Sequence, residues 1–217
     1  VVAVYARTKK GISAFVVEKG MEGFTAGAPE KKMGIRGSKT STLKFENVRV
    51  PKENMIGKEG YGFPIAMKVL NAGRLGLGAA CLGSMKELLT LSTEYAKNRY
   101  QFDEPIANFQ AVQFMLSEMA VMIYNLESIV YRTATLYDLG KMTQAQAGMV
   151  KYYASESIDK TVDLAMQIFA GMGYSREMPI ERFYRDSRIN RIFEGTNEIQ
   201  KIVIAKDILR HKGSIFF

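Results

Sequence analysis

A chain of 217 residues, 47% of them apolar, can bury a real core, which argues against a disordered protein. Thirty Lys and Arg against twenty-two Asp and Glu give a formal charge of +8, a balance that suits an anionic partner and equally suits basic solvated faces. The single cysteine, Cys81, excludes an internal disulfide, and the single histidine, His211, argues against a His-based metal site or a Ser-His-Asp triad.

In chain order, strand signals come first: VVAVYAR, ISAFVVEK and TSTLKFENVRV, the last alternating Leu43, Phe45 and Val48 between Gly-rich and Lys-rich turns. The chain opens without Met, directly in a strand-like run, and so reads as part of a longer protein. VRVPKENMIGKEGYG, with Pro51, Gly57, Gly60 and Gly62, reads as the linker where the pattern changes. A helical period then runs from Phe63 to about Arg99, on Ala66, Val69, Leu70, Leu77, Ala80 and Leu89, with Cys81 expected as a buried thiol in LGLGAACLG. A second long helix is predicted from about Asn108 to Leu139, with Val112, Met115, Met119, Met122, Leu126, Ile129 and Val130 on one broad face, a methionine-rich stripe that reads as core filling. Thr143 is a plausible cap for a third, carrying Ala147, Val150, Ala154, Ile158, Ala165 and Phe169. Pro179 opens a short piece through Arg188, and a last helix follows Thr196 to about Arg210.

Long amphipathic helices joined by short loops predict a mostly α fold, an antiparallel four-helix-type bundle over 59–217 preceded by a partial β domain over 1–58. No unbroken apolar run approaches the roughly twenty residues of a membrane span, and no charged region precedes an apolar core at the start, so neither a span nor a leader is expected.

Three stretches carry possible chemistry. In RIFEGTNEIQ, Glu194 follows Ile192 and Phe193 and precedes Gly195, which permits close approach to the backbone. A carboxylate against an apolar wall has its charged form disfavoured and suits proton transfer; a first-turn glutamate ahead of a helix is the other reading. The GMGY turn at Gly171 to Tyr174 could hold an anion or simply stop a helix; no strand precedes it, so it is not a dinucleotide fingerprint. Arg182, Arg185, Arg188 and Arg191 could bind phosphates or pair with acids such as Glu181 and Asp186. With no interleaved aromatic platforms and no recognisable module, nucleic acid is not an expected partner.

Taken together, KKMGIRGSKTSTLKFENVRVP, GRLGLGAACLG, NRYQFDEPIANFQAVQF, QIFAGMGYSREMPIERFYRD and RIFEGTNEIQ resemble, in order and spacing, the acyl-CoA dehydrogenase family over nearly the whole chain: the end of its middle β domain and its carboxy-terminal helical bundle. The resemblance implies an enzyme using flavin adenine dinucleotide (FAD) to remove an α-proton and a β-hydride from an acyl-CoA thioester, leaving a trans-2-enoyl-CoA. Glu194 matches the family's base. Some branches carry the base immediately before an arginine on the first bundle helix, where this chain has Gly73 before Arg74. The family stabilises the forming enolate with a flavin ribityl hydroxyl and the backbone N–H of the base residue, an oxyanion hole.

By the same resemblance Arg74 and Gly195 lie at the substrate, and Thr196, Asn197 and Glu198 at the flavin. Arg99, Phe102, Gln110, Gln167 and Gly171 match flavin contacts made across a subunit interface, which implies a homo-oligomer, typically a dimer of dimers. No metal site is implied. Electron-transfer flavoprotein is the implied electron acceptor, and a bacterial cytoplasm or a mitochondrial matrix the implied location. Asp103 stands where the family commonly has glycine after Phe102. The family's amino-terminal helical domain and the first half of its β domain have no counterpart here, so the chain alone is expected to hold flavin poorly. An acyl-CoA oxidase and a non-catalytic helical oligomerisation module are the alternative readings.

Overall fold

The computed structural model describes residues 1–210, and His211 lies outside the described residues. The chain divides into two compact units, 1–70 and 71–217.

In the first unit, β1 (Val2–Thr8) and β2 (Gly11–Val17) form an antiparallel hairpin with Val2 opposite Val17 and Thr8 opposite Gly11. β1 alternates half-buried and exposed residues, the signature of a strand with one wet face. A second small ladder joins β3 (Phe24–Ala26) to β4 (Leu43–Phe45), where the Phe24 and Phe45 rings stack 5.0 Å apart. The strand expected to continue through Val48 stops at Phe45, because Asn47 takes a left-handed conformation (φ 54°) that no ladder accommodates. The stretch expected to be a linker contributes β5 (Met55–Ile56), paired with β2, after a 3-10 turn at Lys52–Asn54. Buried Ser13 ties this return in, its hydroxyl accepting from the Gly60 N–H at 2.8 Å.

α1 (Gly62–Asn98) begins within the first unit and continues in the second. There α2 (Gln110–Asp138), α3 (Gln144–Phe169) and α6 (Asn197–Arg210) complete a four-helix bundle, with short α4 (Gly171–Tyr174) and α5 (Ile180–Ser187) between the last two. α3 is the central helix, packed by α2, α5 and α6 and buried along its length at Val150, Ala154, Ile158, Val162, Ala165 and Phe169. Thr143 caps it as expected, its hydroxyl accepting from the Gln146 N–H at 3.1 Å while the Gln146 side chain accepts from the Thr143 N–H. α1 runs alongside α3: a Cβ at Gly78 would lie 2.3 Å from the Val150 side chain, and the Tyr95 and Phe169 rings stack 4.2 Å apart a few turns on. The methionine stripe fills the core, with Met119 fully buried and Met115 and Met122 packed beside it.

One expectation about α1 is corrected. Its core register is Leu77, Cys81, Met85, Leu88 and Ala96, leaving Val69 and Ala80 exposed; in an all-apolar run periodicity cannot choose a face. Among the described residues it is also the one helix long and apolar enough to cross a membrane by length and composition. The apolar face of its 71–98 portion is closed by α2 and α3 in the bundle core.

Candidate active site

α5 is followed by a 3-10 turn, Arg188–Arg191, and the chain then reverses before α6 starts at Asn197. The reversal uses two consecutive left-handed residues, Glu194 (φ 58°) and Gly195 (φ 86°). Glycine takes this conformation freely; glutamate does not, so Glu194 must be held. Its carbonyl accepts from Arg74 Nε at 3.1 Å and from Gln200 Nε2 at 3.1 Å, and the same Gln200 nitrogen donates to the Gly195 carbonyl at 3.0 Å. Arg74, nearly fully buried on α1, is oriented in turn by donating from Nη1 to Asn71 Oδ1 at 3.0 Å. Burial lowers its pKa and the nearby Glu194 charge opposes that shift.

The left-handed turn lays the Glu194 side chain against α1. A Cβ at Gly73 would lie 3.1 Å from Glu194 Oε2 and 3.3 Å from both Cδ and Oε1, so the carboxylate occupies the space any larger residue at 73 would need. Oε2 is buried with no hydrogen-bond partner. The loop's hydrogen bonds among the described residues include none from the Glu194 N–H, which is left for an incoming acceptor. A carboxylate with a bare, buried oxygen, beside a glycine and backed by a guanidinium, is equipped to take a proton from a carbon placed against it.

Behind the loop lies a polar network that the sequence did not reveal. Lys151, fully buried on α3, donates to Asn197 Oδ1 at 2.6 Å; Ser155 Oγ donates to the same oxygen at 3.1 Å, and Asn197 Nδ2 donates to Glu156 Oε1 at 2.7 Å. Arg191 reaches Glu156 at 3.1 Å and Asp159 at 3.5 Å. Burial first, and then the nearby Arg74 charge, pull the Lys151 pKa down to about 8. Pairing, the default reading of the arginine stripe, accounts for Arg191 here and for Arg185, which grips Glu181 in two hydrogen bonds of 2.7 and 3.0 Å. The only hint of the network in sequence is a lysine and a serine one turn apart, Lys151 and Ser155, on a helix otherwise rich in small apolar residues.

The expected site residues fall into two groups. Glu194, Gly195 and Arg74 meet at one place, with Thr196 half-buried on the same loop and Glu198 exposed in the first turn of α6. The Glu198 carboxylate is held below its usual range by its own backbone N–H and then by the Thr196 hydroxyl, which closes the first turn of α6. The Asn197 side chain, expected at the flavin, is committed inside the bundle to Lys151, Ser155 and Glu156. Arg99, Phe102, Gln110, Gln167 and Gly171 gather at the opposite end of the bundle, where α1 and α3 finish and α2 starts. At 1.5 Å per residue the helix from Arg74 to Asn98 alone is about 36 Å long. All five are exposed, Phe102 by 88%, and the Arg99, Gln110 and Gln167 side chains make no hydrogen bond among the described residues. Phe102 and Asp103 (φ 54° and 65°) form the two-residue turn of a hairpin between β6 (Tyr100–Gln101) and β7 (Glu104–Pro105). Aspartate thus adopts the left-handed conformation a glycine would take there. Gly171 and Gly173 lie in the one-turn α4 after Ala170 (φ 50°), with Gly173 buried against Phe169 and Met166, so this turn is a tight helix stop.

Residues 60–209 match the family model for the acyl-CoA dehydrogenase C-terminal domain. The chain is 43% identical over 215 residues to acryloyl-CoA reductase (NADH) of Anaerotignum propionicum, covering 97% of this chain and 55% of that one. It is 44% identical over 210 residues to the short-chain-specific acyl-CoA dehydrogenase of Clostridium acetobutylicum, covering 96% and 55%. The crystal structure of an acyl-CoA dehydrogenase from Bacillus anthracis, complexed with FAD, superposes with a TM-score of 0.91 at 41% identity, over 97% of this chain and 40% of that one. The chain thus spans about half the length of the curated relatives it matches. By family model, sequence and fold, it belongs to the acyl-CoA dehydrogenase family.

Proposed function

We propose that the protein carrying this chain dehydrogenates an acyl-CoA thioester between its α and β carbons, with Glu194 as the base. The observation that carries the reading is the Glu194 carboxylate itself: one oxygen buried without a partner, pressed on Gly73, on a backbone held by Arg74 and Gln200. Glu194 takes the α-proton at its carboxylate, and its own N–H is free to donate to the thioester oxygen as charge develops there. Arg74 fixes the loop from behind and keeps a positive charge close to the acid. Gly195 keeps the loop thin where the acyl group must approach.

The cofactor proposed is FAD, as bound by the Bacillus anthracis relative. The residues available suit it: a ring at Phe102 that is exposed while its edge contact with Phe109 lies 6.2 Å away, and a guanidinium at Arg99 and amides at Gln110 and Gln167 without hydrogen bonds among the described residues, offer stacking and hydrogen bonds to a flavin nucleotide, and Thr196 and Glu198 offer polar groups at the other end. When bound, the flavin supplies the acceptor for the β-hydrogen and its electron pair. Because the two groups stand at opposite ends of one bundle, the reading includes a homo-oligomer, built as a dimer of dimers, in which each flavin is held by two copies. Electron-transfer flavoprotein is the proposed electron acceptor.

In the intact protein, Glu194→Gln is expected to retain flavin and to slow its bleaching by acyl-CoA about 10²–10⁴-fold; bleaching at the unsubstituted rate overturns the assignment. The likeness to acryloyl-CoA reductase (NADH) supports the same carbon chemistry run towards reduction as a second reading. Consumption of NADH with acryloyl-CoA, and no oxidation of the saturated thioester, distinguishes it.

A further inference from the structure

We infer that Gln200 is a positioning residue for Glu194: its side-chain amide holds residues 194 and 195 in the left-handed turn that lays the carboxylate on Gly73. The inference rests on the reading of Glu194 as the base. Two adjacent left-handed residues turn their carbonyls to the same side, here towards the bundle, where only a buried donor can satisfy them. Gln200 is fully buried and answers both with one amide nitrogen, at 3.1 and 3.0 Å. Its oxygen has no partner in the structure. Turning the amide over would point that oxygen at two carbonyl oxygens, so the donors alone decide its orientation.

Three features around Gln200 make the clamp rigid. Asn197, one turn earlier on the same face of α6, is pinned by Lys151, Ser155 and Glu156, which fixes where the helix begins. A Cβ at Gly195 would come within 2.8 Å of Gln200 Nε2, so glycine there lets the amide reach both carbonyls. A Cβ at Gly148 on α3 would lie 3.1 Å from Gln200 Oε1, so the bare glycine leaves the amide its seat. Arg74 shares the Glu194 carbonyl and lies beside Gly195 but makes no hydrogen bond to it; Gln200 links the two peptide groups of the turn. An acid displaced by about 1 Å from its target carbon loses on the order of 10²-fold in rate, so a residue that never meets substrate can control the proton transfer.

The test uses the intact flavin-loaded protein and three substitutions: Gln200→Met, which keeps the shape and removes the donors; Gln200→Glu; and Gly148→Ala, which keeps the amide and presses on it. The readout is exchange of the α-protons of a non-oxidisable acyl-CoA analogue with deuterated water, alongside flavin content, analogue affinity and kcat. Gln200→Met is expected to slow exchange and kcat about 10- to 100-fold, with analogue affinity and flavin content unchanged. Gln200→Glu is expected to be most impaired, relative to the unsubstituted protein, at about pH 8 and to recover towards about pH 5.5, because a protonated carboxyl regains one donor for the two carbonyls. A merely structural glutamine produces no such recovery. Unchanged exchange in Gln200→Met, or a Gln200→Glu deficit that is flat with pH, overturns the inference. If Gln200→Met does not fold, Gly148→Ala decides: slower exchange at unchanged affinity supports the clamp, and undiminished exchange refutes it. Glu194→Gln is measured in parallel: if it still exchanges protons, the base assignment has failed, whereas its loss of exchange with all Gln200 and Gly148 variants unimpaired sinks the clamp alone.

Discussion

Lys151 is a cation kept out of water on the central helix, and its titration is a residue-scale test of the network behind the loop. Its pKa is about 8 in the fold against an ordinary 10.5. Below about pH 8 it is charged in both states and its burial costs stability in full. Between about 8 and 10.5 the unfolded chain binds the proton that the folded chain has released, so this cost is relieved as pH rises. Lys151→Met is therefore expected to flatten the rise in unfolding free energy across that window, as measured by denaturant titration; an unchanged pH slope contradicts the assignment. Glu194, Gly195 and Arg74 were legible as candidates, the first two from an acid and a glycine set among apolar neighbours and Arg74 from the family likeness. Lys151, Asn71 and Gln200 were not. Lys151 meets Asn197 across 46 positions of sequence, and no local pattern announces that contact. Asn197 shows the same limit: from sequence it is one polar residue in a loop, while in the fold its side chain is the hub of a buried network.

At the scale of elements, helices were read well because each announces its ends. Thr143 with Gln146 forms a reciprocal cap at the start of the central helix, and Thr143→Ala is expected to lower the stability of the 71–217 unit by about 1 kcal/mol, measured as a lower denaturant midpoint at unchanged slope. An effect near zero would mean that packing alone positions this end of α3. The short strands escaped because they are made by their partners. β5 is two residues long and exists through its pairing with β2, and the Tyr100–Pro105 hairpin turns on Phe102 and Asp103, neither of them the Asn-Gly or Asp-Gly signal that marks such turns. The face of α1 was missed for a different reason: Gly76 to Gly83 is apolar on every side, and Gly78 decides the matter by letting Val150 approach, which no single-helix pattern can show.

For the molecule as a whole, the four-helix plan followed from the spacing of apolar residues, because a bundle is the one economical way to bury four such stripes. What could not be read is that the two sets of site residues stand at opposite ends of it, since sequence order places Gln167 and Gly171 close to Glu194. That about 36 Å of α1 separates them has a genetic consequence. If each flavin is served by the acid of one copy and the arginine and phenylalanine of another, two inactive variants, Glu194→Gln and a doubly substituted Arg99→Ala, Phe102→Ala, are expected to rescue one another when produced together. A mixed pair then contains one catalytic centre with both defects and one with neither, so about half its centres regain turnover. Co-expression that restores nothing, although mixed assemblies are isolated, would mean that every copy works alone.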